Sequence, residues 1–161
     1  MSSPAAIALG SNLGDRRAHL EAAFSALAAL PSTKLTARGP ILETAAVARP
    51  GSTADPGGPY LNSAALIETT LDPHTLLREL HTIERSRNRD RAQEPPNTWS
   101  PRTLDLDLLL YADHIITTEA LTLPHTRLHQ RRFVLEPLAA IAPNLRVPTL
   151  NRTIAELLSA L

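Results

Sequence analysis

Cysteine is absent from the 161-residue sequence, and long apolar runs are absent as well. Without cysteine there can be no disulfide, no thiol nucleophile and no cysteine-ligated zinc or iron–sulfur site. No apolar run approaches the roughly 20 residues that a helix needs to cross a bilayer. The N-terminal residues lack the positively charged region of a signal peptide. We therefore expect a soluble, cytoplasmic protein with no membrane contact.

An excess of charge of either sign is also missing, because sixteen Lys and Arg balance sixteen Asp and Glu. Binding to nucleic acid through bulk charge is therefore disfavoured, although a local basic patch is still compatible with this balance. Lys34 is the only lysine, so arginine supplies nearly all of the positive charge. Aromatic residues make up only 3% of the chain, which makes each of them informative. They are Phe24, Tyr60, Trp99, Tyr111 and Phe133.

The pattern of apolar residues predicts strands and helices in alternation. Short apolar or alternating runs predict strands at 5–9, 33–43, 60–70 and 104–111, and another short element from Ile115. Apolar residues at helical spacing predict helices at 15–30, 73–87, 133–142 and 154–161. This order favours a single α+β domain over residues 1–161, with helices on a mainly antiparallel sheet. A parallel doubly wound sheet is the alternative, weakened by the lack of a GxGxxG motif after the first strand.

Three connecting segments have the composition of turns or loops. Gly10-Ser11-Asn12 is interpreted mainly as a tight strand-to-helix turn, in which Asn12 is able to cap the helix. Residues 48–59 contain three prolines and three glycines, and residues 85–101 contain four arginines in seven positions. Loops this long are usually functional or disordered, so both are candidate lids. For Arg85 and Arg87 we expect only a solvated helix end.

The strongest chemical signal is Asp105-Leu106-Asp107 on the predicted strand at 104–111. Residues i and i+2 of a strand point to the same face, so the two carboxylates lie side by side while the leucines face the core. Their mutual repulsion would be relieved by a cation, and Mg²⁺ typically binds one or two carboxylates together with substrate phosphates. The alternative is that the two aspartates lie on a solvent-facing edge strand and only increase solubility, which is the better interpretation of an isolated D-x-D pair.

The arginines before this pair change its interpretation. Arg102 lies three residues upstream of Asp105, and the arginine-rich loop lies before it. Carboxylates that bind a metal next to arginines that bind phosphate are typical of phosphoryl transfer. Neither a P-loop nor a kinase glycine-rich loop is present, so a nucleotide would be bound without those motifs.

Several motifs, in this order, resemble one known family. They are IALGSNL at 7–13, ET at 43–44, PYLN at 59–62, WSPRTLDLDLL at 99–109, LPH at 123–125 and RRFV at 131–134. Together they cover almost the whole chain and are similar to the signature of 6-hydroxymethyl-7,8-dihydropterin pyrophosphokinase of folate biosynthesis. The resemblance implies an α+β fold of ferredoxin-like type and a monomer. In that family ATP donates its β,γ-pyrophosphoryl group to the hydroxymethyl oxygen of the pterin, and AMP is released.

The resemblance also implies a role for individual residues. Two Mg²⁺ ions are expected on Asp105 and Asp107. Pterin contacts are expected from Thr44, Tyr60, Asn62, Trp99 and Phe133. Contacts with ATP are expected from His81, Glu84, Trp99, His125 and Arg131. Candidates to stabilise the transferring group are Arg89, Arg91 and Arg102.

The competing hypothesis is a small α+β module that binds RNA through the arginine-rich loop. It predicts aromatic side chains exposed on the sheet and a positively charged face. The small number of aromatic residues and the zero net charge argue against it. We therefore expect small-molecule substrates and no nucleic-acid partner.

Overall fold

The computed structural model describes residues 1–48, 50–53, 55–94 and 100–161. Its main sheet contains β1 (Ser3–Ser11), β2 (Thr33–Arg38), β3 (Leu42–Thr44), β4 (Tyr60–Thr69) and β5 (Asp105–Tyr111). The helices are α1 (Arg16–Ala28), α2 (Pro73–Ser86), α3 (Arg132–Ile141) and α4 (Ile154–Ser159). Two short hairpins are formed by β6 (Ile116–Thr117) with β7 (Thr122–Leu123), and by β8 (Arg146–Val147) with β9 (Arg152–Thr153).

All pairings within the main sheet are antiparallel. The strand order is β2-β4-β1-β5, and β3 pairs with the other half of β4. The prediction of an α+β fold with a mainly antiparallel sheet is therefore confirmed, and the doubly wound alternative is wrong. Among the described residues β5 pairs with one strand, β1, so its other edge must find different partners.

The strand predicted at 33–43 is two strands, β2 and β3, separated by Gly39-Pro40. At Gly39 the chain passes so close to α3 that an added Cβ would lie 2.9 Å from the carbonyl oxygen of Pro137. Pro40 has no N–H to donate to β4. The interruption lets β3 pair with β4 next to Tyr60 and Asn62.

Two apolar cores, one on each face of the sheet, hold the layers together. Helices α1 and α2 bury one face through Leu20, Phe24, Leu27, Leu76 and Leu80. Helices α3 and α4 bury the other through Val134, Leu135, Leu138, Ile154 and Leu157. Within the described ranges, no helix is long and apolar enough to cross a membrane.

Helix starts agree with the sequence at α2 and differ at α1. Asp72 caps α2 by accepting from the Thr75 amide, and Pro73 follows it as predicted. Helix α1 is capped by Asp15, whose side chain accepts from the amide of Ala18. The prediction that Asn12 caps this helix is therefore wrong, because Asp15 occupies that position and the Asn12 side chain bonds elsewhere.

Candidate active site

A cavity of about 310 Å³ opens at one end of the sheet, on the face that α3 also covers. Its floor is the middle strand β1, where Ala8 and Gly10 present little or no side chain. Gly10 pairs with Asn62 on one side and with Asp105 on the other. A Cβ on Gly10 would lie 3.2 Å from Asn62 Oδ1, so glycine leaves the space that the cavity uses.

One wall of the cavity contains the four described residues that were predicted to contact a pterin. Asn62 donates to the Thr44 hydroxyl at 2.6 Å across the β3–β4 pairing. Tyr60 lies two residues before Asn62 and so shares its face of β4. Phe133, at the start of α3, keeps 36% of its surface exposed although it lines the cavity. The remaining predicted contact, Trp99, lies outside the described residues.

The opposite wall contains the aspartate pair on β5. Asp105 and Asp107 both line the cavity, and their side chains are 20% and 24% exposed. The leucines between and beside them are buried in the other core, as the strand alternation predicted. Two carboxylates on one face leave most coordination positions of a metal ion free for other oxygens, which suits Mg²⁺ with a phosphate ligand. Among the described residues, no cluster of three or more His, Asp or Glu could hold a metal by itself.

Three arginines surround Asp105. Arg89 Nη1 is 2.7 Å from Asp105 Oδ1, Arg91 Nη2 is 3.2 Å from the same oxygen, and Arg102 Nη1 is 3.3 Å from Oδ2. Asp107 has one salt-bridge partner among the described residues, Arg91, at 3.7 Å. The two aspartates therefore differ strongly in how well their charge is balanced.

The pKa values of the two aspartates move in opposite directions for this reason. Burial alone would raise the pKa of Asp105, but Arg89, Arg102 and Arg91 outweigh it and lower the pKa below its usual value. Burial and the neighbouring charge of Asp105 raise the pKa of Asp107. Asp107 is thus the less stable of the two anions and gains the most from an added cation.

Glu84 organises the arginines from behind. Its side chain is fully buried and accepts from Arg89 Nη1 at 3.0 Å and from Arg91 Nε at 2.7 Å. It also accepts the backbone N–H of Leu106 at 2.7 Å. Glu84, which was predicted to contact ATP, lies behind the two arginines, fixes their orientation and lines neither cavity.

The same network covers the open edge of β5. Arg91 Nη2 donates to the carbonyl oxygen of Leu106, and Arg89 Nη1 donates to that of Leu104. Together with Glu84, these side chains take the hydrogen-bonding positions of a neighbouring strand. Farther along, the backbone N–H of His125 donates to Leu109. The edge is therefore satisfied by groups that also belong to the candidate site.

Four arginines of the 85–101 segment have different surroundings. Arg89 is buried and Arg91 is partly buried, and both are directed at the carboxylates. Arg85 is exposed, as expected for a solvated helix end. Arg87 is half-buried and donates from Nε to His19 Nδ1 at 2.9 Å, so the same expectation is wrong for Arg87.

A second cavity of about 260 Å³ adjoins the first, and Asp107 lines both. His81 and His125, which were predicted to contact ATP, line it together with Arg91. Burial is the main cause that lowers the pKa of each histidine, so both rings are neutral near pH 7. Arg131, the remaining predicted ATP contact, lines the first cavity instead.

Sequence reasoning missed three residues at this site. Glu94 accepts from Arg89 Nε at 2.7 Å and completes the charge network. Arg127 lines the first cavity together with Arg131. Asn12 lies beside the cavity and bonds to Pro56 of one long connecting segment and to Arg102, just after the other. The composition of the loops gave no signal for Glu94, and the turn interpretation obscured Asn12.

Comparisons with known proteins agree with this geometry. A family model described as 7,8-dihydro-6-hydroxymethylpterin-pyrophosphokinase (HPPK) matches residues 6–143. Relatives named 2-amino-4-hydroxy-6-hydroxymethyldihydropteridine pyrophosphokinase come from Pseudomonas aeruginosa and Haemophilus influenzae. They are 39% and 41% identical to this chain, over 96% and 94% of its length and 89% and 88% of theirs.

Solved structures show the same fold. A crystal structure of Plasmodium falciparum HPPK-DHPS with pteroate superposes with a TM-score of 0.74 at 14% sequence identity. The match covers 99% of this chain and 44% of that one, so this chain spans less than half of the larger protein. The family model and the relatives at about 40% identity, together with this fold, show that the chain belongs to the 7,8-dihydro-6-hydroxymethylpterin-pyrophosphokinase family.

Proposed function

We propose that the chain catalyses Mg²⁺-dependent transfer of the β,γ-pyrophosphoryl group of ATP to 6-hydroxymethyl-7,8-dihydropterin, with release of AMP. Membership of the pyrophosphokinase family implies ATP as the co-substrate. The observation that carries the proposal is a single cavity between two unlike walls. One wall has aromatic rings with amide and hydroxyl groups, and the other has the aspartate pair with its arginines.

The wall formed by Thr44, Tyr60, Asn62 and Phe133 suits a flat heterocycle with polar edges. Two aromatic side chains offer stacking surfaces, and the Asn62 amide and Thr44 hydroxyl offer hydrogen bonds at the ring edge. The pairing of β3 with β4 holds these polar groups in place before a ligand arrives. The hydroxymethyl group of a pterin bound here would point along the floor of small residues toward Asp105.

The aspartate pair would hold two Mg²⁺ ions together with phosphate oxygens of ATP. Bound there, Mg²⁺ supplies neutralisation of phosphate charge and lowers the pKa of a bound hydroxyl. The raised pKa of Asp107 fits this role, because its charge is balanced less well than that of Asp105. Asp105 forms salt bridges with three arginines, and these contacts hold the aspartate pair in position on β5.

The arginines divide into two roles. Arg91 and Arg102 remain partly exposed, with side-chain exposures of 35% and 23%, and each lines one of the cavities. They are therefore the better candidates to contact the transferring group. Arg89 is only 4% exposed and binds Glu84, Glu94 and Asp105. We assign it to positioning Asp105.

His125 is expected to donate a hydrogen bond toward the phosphates. Its Nδ1 accepts from the backbone N–H of Arg127 at 3.2 Å, so in the neutral ring the proton resides on Nε2. Burial, followed by the charge of Arg131, lowers its pKa and keeps the ring neutral. With His81 it gives the second cavity donors that suit a nucleotide.

The RNA-binding alternative is disfavoured by where the aromatic residues lie. Phe24 and Tyr111 are buried in the core that α1 and α2 cover, and Tyr60 and Phe133 line a cavity. None of these four described side chains forms a stacking surface on an open sheet, because helices cover both faces.

The proposed reaction is tested by measuring AMP formation from ATP in the presence of the pterin and Mg²⁺. AMP release is expected to require both the pterin and Mg²⁺, and to yield the pterin diphosphate in equal amount. Single-stranded RNA in place of the pterin serves as the control for the alternative. Absence of AMP with the pterin, or tight Mg²⁺-independent binding of RNA, would rule out the proposal.

We further propose that residues 1–161 form one domain and that the chain is a cytoplasmic monomer. Sedimentation of the purified chain tests the monomer, because it measures the mass of the particle in solution.

Replacement of Phe133 by alanine tests the aromatic wall. The change is expected to weaken pterin binding by about 1 kcal/mol or more, the typical contribution of an aromatic contact beyond its buried area. The affinity for an ATP analogue with Mg²⁺ should change less, because Phe133 does not line the second cavity and touches the predicted ATP site only through Arg131, 5.7 Å from its ring centroid. Calorimetric titration with each ligand measures both. The Ile115→Ala variant, which truncates an exposed apolar residue outside either cavity, is the control. Equal losses for both ligands would contradict a specific pterin contact.

A further inference from the structure

Asn12 connects three separate parts of the chain through one buried side chain. It follows β1 directly and is only 6% exposed. Its backbone N–H donates to the carbonyl oxygen of Arg102 at 3.0 Å, and the N–H of Arg102 donates to Asn12 Oδ1 at 2.7 Å. Its side-chain amide donates to the carbonyl oxygens of Pro56 and Gly58, at 2.8 and 3.2 Å.

The two segments that Asn12 binds also pack closely on each other. Gly57 has a φ of +88°, a conformation that favours glycine, and its N–H donates to Asp55 Oδ1 at 2.9 Å. A Cβ on Gly57 would lie 2.7 Å from Asn12 Nδ2 and 2.8 Å from Pro101 Cγ. No side chain fits between the loop at 55–59 and the segment at 100–103. Asn12 therefore lies at the junction where these two segments meet, and it binds each of them through different side-chain atoms.

Both segments also line the cavity of the candidate active site. Pro56 comes from the first and Arg102 from the second, and Arg102 contacts Asp105 at 3.3 Å. The side-chain amide N–H groups of Asn12 thus hold the loop at 55–59, which leads into Tyr60, and its carbonyl oxygen holds the arginine that faces the aspartates. We propose that Asn12 is a positioning residue that holds the loop at 55–59 and Arg102 in place at the cavity through separate hydrogen bonds. This inference rests on the proposed function only where turnover is measured.

Two substitutions separate the two sides of Asn12. Asn12→Asp keeps Oδ1 as acceptor for the Arg102 amide but removes both N–H donors to the loop at 55–59. Asn12→Ala removes all of these side-chain bonds. The matched control is Ser11→Ala, the preceding residue, which is fully buried and whose Oγ has no hydrogen-bond partner among the described residues.

Amide hydrogen exchange tests the junction in the protein without substrates. In Asn12→Asp the Gly57 amide is expected to exchange about tenfold faster while the Arg102 amide keeps its protection, because one or two hydrogen bonds are lost on one side only. In Asn12→Ala both amides should exchange faster, and in Ser11→Ala neither should. Equal acceleration in Ser11→Ala, or unchanged exchange in both Asn12 variants, would overturn the proposal. So would uniform acceleration across β4, since that reports general loss of stability.

Steady-state kinetics then tests positioning. Asn12→Asp should raise KM for the pterin about tenfold with kcat nearly unchanged, since only the loop at 55–59, which precedes Tyr60, is loosened. Asn12→Ala should in addition lower kcat, because Arg102 is no longer held. Equal loss of kcat in both variants would contradict the division of roles. A wild-type protein without turnover would refute the proposed function, while the exchange measurement would still decide whether Asn12 joins the two segments.

Discussion

Asp107→Asn is expected to lower turnover severely and to leave the fold at least as stable as the wild type. Loss of a metal-binding carboxylate should lower kcat by about 10³-fold, since a bound metal contributes several kcal/mol of charge stabilisation. The raised pKa of Asp107 means that the folded state binds this proton more tightly than the unfolded chain. Its ionised form therefore lowers the free energy of unfolding above that pKa, and asparagine removes this penalty.

Asp105→Asn is the informative comparison, because Asp105 has the same chemistry and the opposite surroundings. Its charge is balanced by Arg89, Arg91 and Arg102, so its loss should reduce both turnover and the free energy of unfolding. The measurements are kcat at saturating Mg²⁺ and urea denaturation at pH 8. If the Asp107→Asn protein has near-normal turnover, or is as destabilised as Asp105→Asn, the assignment of Asp107 as a metal-binding carboxylate is refuted.

Glu84→Gln is expected to have the largest effect on stability. The substitution keeps the shape of the side chain but removes the charge that faces two arginines in a fully buried position. Breaking one partner out of a buried ion pair typically lowers the free energy of unfolding by about 3 kcal/mol or more. Turnover should also fall, because Arg91 and the strand that bears Asp107 lose their common anchor.

Glu79→Gln provides the matched control on the same helix. Glu79 is half-buried on α2 and belongs to neither cavity, so its free energy of unfolding should stay within about 0.5 kcal/mol of the wild type. Urea denaturation followed by circular dichroism measures both variants. If Glu84→Gln is no less stable than Glu79→Gln, the network is not a structural support of the site.

The sequence alone was sufficient to predict strands whose pattern of apolar residues is set by near neighbours in the chain. The apolar or alternating patterns at 5–9, 60–70 and 104–111 each predict a strand, and the structure confirms all three as Ser3–Ser11, Tyr60–Thr69 and Asp105–Tyr111. Gly39-Pro40 is a visible interruption in the sequence, but that it ends β2 depends on the close approach of Pro137 from a distant helix. The β6–β7 and β8–β9 hairpins have strands of two residues each, too short for any periodicity to show.

For the site, the sequence predicted which residues lie there better than it predicted what each of them does. The spacing of Asp105 and Asp107 fixes their common face, and the structure brings Tyr60, Asn62 and Phe133 opposite them in one cavity. Composition cannot separate four arginines in seven positions, because their roles follow from the turn after α2. There Asn88 has a φ of 67°, and the chain reverses so that Arg89 turns inward toward Glu84.

The side chains that satisfy the edge of β5 have a consequence for self-association. A free strand edge is a template on which a second chain can add by backbone hydrogen bonds, and charged residues are a common protection against it. Here the carbonyl groups of Leu104 and Leu106 and the N–H of Leu106 are already bonded to Arg89, Arg91 and Glu84. Loss of this network would therefore expose an adhesive edge at the same moment that it disables the site, and aggregation would accompany inactivity.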